Sequence, residues 1–519
     1  MAFTTTVREV IDNDKTGLLT KHSSWERVQL VEVATILNGA PFDSAMFSIT
    51  EGHPLIRIRD VLTGTTSTYF RGTYDDAYVV RQGELVVGMD GDFNSAYWGA
   101  VPALLNQRVC KITPDEIFYS KAFLGHLLPG YLAAINANTS AITVKHLSSK
   151  TIGEIELPLP PRAEQARIVE KLEELLSDLD AGVAELKAAQ KKLGQYRQSL
   201  LKAAVEGALT AEWRAARNVG ADDAVQETGA ALLQRILTER RTRWETKQLA
   251  KFAEQGKTPP KDWQKKYPEP VQPDTRDLPE LPEGWVWASV DQLTAEQKYG
   301  SSSKTNEDST GVPILRMGNI QDGDLDFSNL KYLPADHDEF PGLYLQDGDL
   351  LFNRTNSPEL VGKTAVYRSQ MSPCSFASYL ISVRFSQSFI PELASTFINS
   401  AYGKHWIKSV VVQQVGQANV NGSKLSALAI PLPPFEEQKE IVSSLHTQTN
   451  EIVEQLKNVD TSLKQSAAQR KNILKAAFSG QLVPQDSNDE PASLLLERIR
   501  AERAAQSAVK KPRRKISQG

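Results

Sequence analysis

Two stretches of the chain carry apolar residues in a 4–3 alternation. The first runs through Ile168, Leu172, Leu175, Leu179, Gly182, Leu186, Ala189, Leu193, Tyr196 and Leu200. The second runs through Val442, Leu445, Thr449, Ile452, Leu456, Val459, Leu463, Ser466, Arg470 and Ile473. A 3.5-residue period held over five turns or more predicts a coiled-coil helix rather than the surface helix of a globular domain. About 40 residues of helix span roughly 60 Å at 1.5 Å per residue. Neither stripe is clean. Gly182 in one, and Thr449, Ser466 and Arg470 in the other, weaken self-association, so the two helices are expected to pair with each other.

The flanks of the two helices are copies. LPLPPRAEQ at 157–165 returns as IPLPPFEEQ at 430–438, an offset of 273. The same offset carries LLKAAVEGAL at 200–209 onto ILKAAFSGQL at 473–482 without a gap. Prolines 158, 160 and 161, and 431, 433 and 434, keep each lead extended and outside the helix. Gly207 and Gly480 stand where a helix stop belongs. A fainter pair joins ALLQRILTER at 231–240 to LLLERIRAER at 494–503.

Ahead of each helix the pattern shortens to alternating segments bounded by Gly and Asp, which predicts a β-rich domain. These segments are also related. Trp25 and Trp285 each open a strand-like stretch, PLIRIRDV at 54–61 matches PILRMGNI at 313–320, and QGELVVGMDGD at 82–92 matches DGDLLFNRTNS at 347–357. The second of these pairs aligns Arg57 with Arg316 and Asp60 with Asn319. The order is therefore globular, helix, globular, helix. Residues 255–284, rich in proline and charge, read as a semi-rigid linker.

Composition changes this picture little. The chain has 519 residues, 40% hydrophobic and 24% charged, enough for two to four domains. No run of 18 apolar residues predicts a membrane span, and no secretion signal is visible at the start. Two cysteines, Cys110 and Cys374, lie far apart without metal-ligand spacing, which fits a reducing, cytoplasmic setting. The net charge of −4 excludes a protein coated in positive charge, though not local basic surface facing phosphates.

Several fragments imitate catalytic motifs, and each lacks what the chemistry needs. Leu432-Pro433-Pro434-Phe435 resembles the Asn-Pro-Pro-aromatic motif of adenine methyltransferases, but Leu stands where the amide must hold the target amino group. Gly362-Lys363-Thr364 imitates the end of a phosphate loop whose first glycine would fall at Ser357. Pro273-Asp274 with Glu296-Gln297-Lys298 fits a loose nuclease spacing, yet Asp274 lies in the Pro-rich stretch. The seven histidines form no ligand pair.

The twice-used pattern PLPP-x-x-EQ, then a long helix ending LKAA-x-x-G-x-L, each time after a β-rich domain, resembles the specificity subunit of type I restriction–modification systems. The resemblance spans essentially the whole chain. It implies an α+β fold with two β-rich mixed α/β target recognition domains separated by two long antiparallel coiled-coil helices, related by an internal pseudo-two-fold repeat. The domains would be an N-terminal extension (1–22), recognition domain 1 (23–156), the first helix (157–210), an added helical segment (211–254), the linker (255–284), recognition domain 2 (285–429), the second helix (430–483), and a C-terminal helix with a basic tail (484–519). The chain would be a non-catalytic subunit bound to double-stranded DNA, reading one half of a split asymmetric site with each domain. It would dock two methyltransferase (modification) subunits and restriction/translocase subunits. The methyl donor, Mg and ATP are expected on those partners, with no cofactor on this chain. The extension, the 211–284 insertion and the tail Lys510-Lys511-Pro512-Arg513-Arg514-Lys515 depart from the simplest form of the family. An alternative is a coiled-coil adaptor whose two β-rich domains bind proteins.

Bases are read mainly by Arg, Lys, Asn and Gln, and phosphates by basic and hydroxyl groups. Candidates in the first domain are Arg57, Arg59, Arg71 and Asn94 of the loop Asp90–Asn94. In the second they are Arg316, Asn353, Arg354, Asn356 and Lys363, with Gln414, Gln417 and Asn419 of an amide-rich segment. The first-domain counterpart of that segment is sought among Asn136, Asn138, Thr139 and Lys145.

Overall fold

The computed structural model describes residues 6–99, 101–139, 145–219, 227–276, 278–357, 360–414 and 417–510. The chain divides into two compact units, Met1–Lys187 with Asp460–Gly519, and Ala188–Val459. Each unit draws on both sequence repeats.

The stripes form two helices of 44 residues, Arg162–Val205 and Phe435–Phe478. Every stripe position is buried or half-buried except Tyr196, which is exposed. In the first unit Glu164 accepts from Gln485, and further along the helix Asp180 pairs with Arg470. Partner numbers fall as helix numbers rise, so these segments run antiparallel. In the second unit the Tyr196 hydroxyl donates to Gln448 at 3.0 Å and Thr210 donates to Glu437 at 2.7 Å, again antiparallel. The start of one long helix and the end of the other therefore belong to the same unit.

The two β-rich halves share a plan. In the first unit Glu26–Gln29 pairs antiparallel with Glu156–Leu159, and in the second Val286–Ser289 pairs likewise with Ala429–Leu432. A four-stranded sheet follows in each. Its order is Ala34–Asn38, Val109–Pro114, Leu85–Gly88, Ser95–Tyr97 in the first unit, and Thr294–Tyr299, Leu380–Phe385, Leu350–Asn353, Thr364–Val366 in the second. Leu85–Gly88 and Leu350–Asn353 are wholly buried, as the apolar runs 85–87 and 350–352 require. A second sheet, five-stranded around His53–Ile56 and three-stranded around Val312–Leu315, completes each unit.

The PLPP-x-x-EQ lead owes its form to buried chemistry. Glu164, Gln165, Glu437 and Gln438 are all at most 1% exposed. Gln165 Nε2 donates to the Pro160 carbonyl and its Oε1 accepts from Ser120 N; Gln438 does the same with Pro433 O and Ile390 N. Both glutamates accept from an indole, Trp25 Nε1 at 2.9 Å and Trp285 Nε1 at 2.8 Å. Burial raises the Glu164 carboxyl, while Trp25 and Gln485 draw it back by stabilising the charge.

Segments that composition alone marked as extension or linker are folded in. Val10, Ile11 and Leu19 lie in the first unit's core, and the Arg27 guanidinium donates to Leu19 O. Residues 255–284 do not hang free as a spacer. Trp263 stacks on Trp244 of the helix Gly229–Glu254, and Val271 N donates to Asp291. Two tryptophans and a tyrosine, Tyr267, outweigh the proline content there by making an aromatic cluster. The faint repeat is structural too: Leu232 and Ile236 enter the second core, Leu495 and Ile499 the first. The tail from Lys511 onward lies outside the described residues.

Two glycines close the long helices. Gly207 and Gly480 have φ of +71° and +73°, a conformation that costs other residues energy. An added Cβ at Gly207 would sit 2.6 Å from Pro282 and 3.2 Å from Trp285; at Gly480 it would sit 2.6 Å from His22 and 3.0 Å from Trp25. Gly207→Ala should therefore cost more than about 1 kcal/mol, read as a lower midpoint in urea. Trp285→Phe, which leaves a buried carboxylate oxygen short of a donor, should cost about 1–3 kcal/mol in the same measurement.

Candidate nucleic-acid interface

Most of the candidates, though not Arg71 or Arg316, gather where the central strand of each four-stranded sheet ends. In the second unit Thr355–Asn356 pairs with Gln417–Asn419, which pairs with Val412–Gln414. One small sheet thus brings Arg354 and Asn356 to Gln414, Gln417 and Asn419, although some 60 residues separate the segments. The side chains of Asn356, Gln414 and Gln417 lie outside the described residues. Asn419 Nδ2 donates to Thr355 Oγ1 at 2.8 Å.

Arg354 is half-buried. Its guanidinium lies over the Tyr299 ring, 5.0 Å from the centroid, and donates to Ser378 O. It therefore packs as well as presenting charge. Asn353 is fully buried, with Nδ2 on Leu360 O, so it holds the loop and cannot reach a base. Lys363 closes the loop by accepting from Asn353 N. Its side chain lines a cleft of about 380 Å³ with Arg368, Glu392, Asn399 and Lys404.

The first unit repeats this geometry. Met89 N donates to Arg108 O, and Leu147 N donates to Met89 O; in the second unit Arg354 N donates to Tyr379 O, and Val420 N donates to Arg354 O. Asn94 stands where Lys363 does, accepting from Gly88 N as Lys363 accepts from Asn353 N. Lys145 lies beside the loop: its carbonyl accepts from Gly91 N, and its ammonium donates to Asn136 O at 2.6 Å and Asn136 Oδ1 at 2.9 Å. Asn138 and Thr139 only cap the preceding helix, donating to Ala134 O and Ile135 O.

The aligned arginines Arg57 and Arg316 mark a turn. Asp60 accepts from Arg57 N at 2.9 Å, and Asn319 accepts from Arg316 N at 2.8 Å. Arg316 is half-buried and donates to Asn329 O. Arg57 is exposed. Arg59 contacts Asp60 and Thr68, and Arg71 contacts Glu51. Arg57 and Arg59 flank Ile58, which lies against Gly88 at the base of the loop.

Sequence reasoning missed Arg108, His146, Tyr299 and Tyr379 at this face. The offset of 273 carries His146 onto Asn419, so the repeat held a signal for one of them. Arg108 had none, because its orientation depends on Asp90 across the loop.

Among the described residues no three His, Cys, Asp or Glu side chains are grouped to hold a metal. Both cysteines are free and buried, and burial pushes each thiol up to about 12. No described helix is long and apolar enough to cross a membrane.

The type I restriction modification DNA specificity domain matches at residues 22–188 and again at 282–460. The type I restriction enzyme EcoBI specificity subunit of Escherichia coli is 34% identical, over 99% of this chain and 100% of that protein. The EcoKI specificity subunit of Escherichia coli strain K12 is 25% identical over 95% and 98%. A solved chain from work on complex assembly and conformational transition of the type I R-M system superposes with a TM-score of 0.59 at 17% identity, over 89% of this chain and 99% of that one. Two matched domains and a full-length relative define a two-part DNA specificity protein. The chain belongs to the type I restriction–modification specificity subunit family.

Replacing the buried Asn353 by Ala should lower stability by about 1–3 kcal/mol and leave base preference intact. Arg354→Ala should lower both stability and DNA affinity, because the same guanidinium packs on Tyr299 and faces the site. Urea unfolding together with filter binding separates the two effects.

Proposed function

We propose that this chain is the DNA-reading subunit of a type I restriction–modification complex, one unit reading each half of a split, asymmetric site. It carries no catalysis of its own. Modification subunits bring the methyl donor to adenine, and restriction subunits use ATP and Mg. Two modification subunits dock on it, and the complex works in the cytoplasm.

The observation that carries this reading is the double use of one backbone scaffold with unlike side chains. A symmetric dimer would present the same reader twice and would favour a palindrome. One chain with two diverged readers matches two different blocks instead. An adaptor binding two proteins has no need for the cationic and amide groups at both loop faces.

The test is to sequence methylated adenines in a host carrying this gene with its neighbouring modification genes. Two short specified blocks with an unspecified gap are expected. A single contiguous motif, or methylation without sequence dependence, would sink the proposal and favour the adaptor.

A further inference from the structure

On one backbone scaffold, the first unit places Asp, Arg and His where the second places Thr, Tyr and Asn. Asp90 is 8% exposed and holds two groups at once. Its Oδ1 lies 2.6 Å from His146 Nδ1, and its Oδ2 accepts from Arg108 Nη1. The two partners are not buried with it: the side chains of Arg108 and His146 are 61% and 64% exposed. The backbone bonds that place them recur in the second unit, so the equivalents are read directly. Thr355 takes the place of Asp90, Tyr379 that of Arg108, and Asn419 that of His146.

We propose that Arg108 and His146, anchored on Asp90, are the base-reading pair of the first unit, with Arg108 directed to a guanine, and that Tyr379 and Asn419 are their counterparts for the other half-site. The assignment rests on the split-site reading above and names which side chains carry it.

The alternative is a surface ion pair that merely steadies the loop. A buried carboxylate does gain stability from two partners. More to the point, the second unit keeps the same backbone bonds with no charge in the trio, so the fold does not demand one. The geometry instead suits recognition. Arg108 spends one nitrogen on Asp90, and the exposed remainder of its planar fork is free for the two acceptors of a guanine edge. With Nδ1 on Asp90, Nε2 is the nitrogen that His146 offers to a ligand. A carboxylate that fixes both side chains beforehand lowers the entropy lost on binding. Lys145, next to His146, adds a second cation to that of Arg108 at this face in a chain of net charge −4.

The second unit's trio has different chemistry. Asn419 is already oriented by its bond to Thr355 Oγ1, and Tyr379 is 48% exposed. An oriented amide suits adenine, which shows an acceptor and a donor side by side in the major groove. The two units thus present different donor patterns from the same frame.

The experiment uses the complete modification complex and reads methylated adenines genome-wide for Arg108→Ala, His146→Gln and Asn419→Ala. Arg108→Ala is expected to relax one G·C position in one block, on the order of 10- to 100-fold in discrimination, with the other block unchanged. His146→Gln should alter the same block, and Asn419→Ala the opposite one. A motif unchanged in Arg108→Ala and His146→Gln overturns the proposal. So does uniformly weaker methylation with the motif intact, which marks a phosphate or structural role. If Arg108→Ala abolishes methylation, His146→Gln decides, since the only described partner of its ring is Asp90: a changed block supports the assignment and an unchanged one overturns it. A wild-type complex without a split motif fails the underlying reading instead, so the two failures are distinguishable.

Discussion

A carboxylate removed from water must be met by donors, and much of this fold is arranged around two such groups. An uncompensated buried charge costs several kcal/mol, and breaking a buried pair leaves that cost standing. Glu164 is met by Trp25, from the entry to its own recognition half, and by Gln485, from beyond the end of the other long helix. Glu437 is met by Trp285, Thr210 and Arg214 in the same relation. Each unit is thereby closed by three pieces of chain remote in sequence: a strand lead, a helix start and the opposite helix end. Neither sequence repeat can complete a unit alone.

The neighbouring glutamines and glycines follow from that closure. Gln165 and Gln438 each satisfy a proline-lead carbonyl and an incoming backbone N–H, fixing the angle at which the long helix leaves the sheet. The glycines must be bare because the helix ends arrive against the same tryptophans that bond the glutamates. Sequence identity at these positions is thus a packing demand, and it explains why the match at offset 273 is strongest at the two ends of each helix. Along the middle, where the stripe positions are mostly half-buried, the stripes tolerate Gly182, Thr449, Ser466 and Arg470. Arg470 even serves there, paired with Asp180.

What the sequence disclosed was whatever a period or an offset could carry. The two rods, their stops, the paired β-rich halves and the grouping of candidate loops are all periodic or duplicated features. The use of the glutamate in the EQ pair was not legible, because its indole donor comes from a position more than 130 residues away. Asn353 looked like a reader from its polar side chain, yet it falls on a strand with no exposed face. The 255–284 segment looked like a spacer because proline and charge dominate its composition, while stacking of Trp263 on Trp244 depends on where the chain turns back. Arg354 carried the right chemistry but also a packing duty that only the Tyr299 ring reveals.

These observations separate stability from recognition. The groups that close each unit are buried, duplicated and mutually dependent, so substitution there is felt by the whole unit. The groups at the loop faces hang on backbone bonds that the two units share, and Arg108, His146 and Tyr379 keep much of their side chains exposed. Exchanging Asp90, Arg108 and His146 for Thr355, Tyr379 and Asn419 leaves those backbone bonds in place. A frame that holds its shape whichever trio it displays lets the two readers diverge independently. Two different half-sites require that freedom, and the buried glutamates supply it by carrying the fold elsewhere.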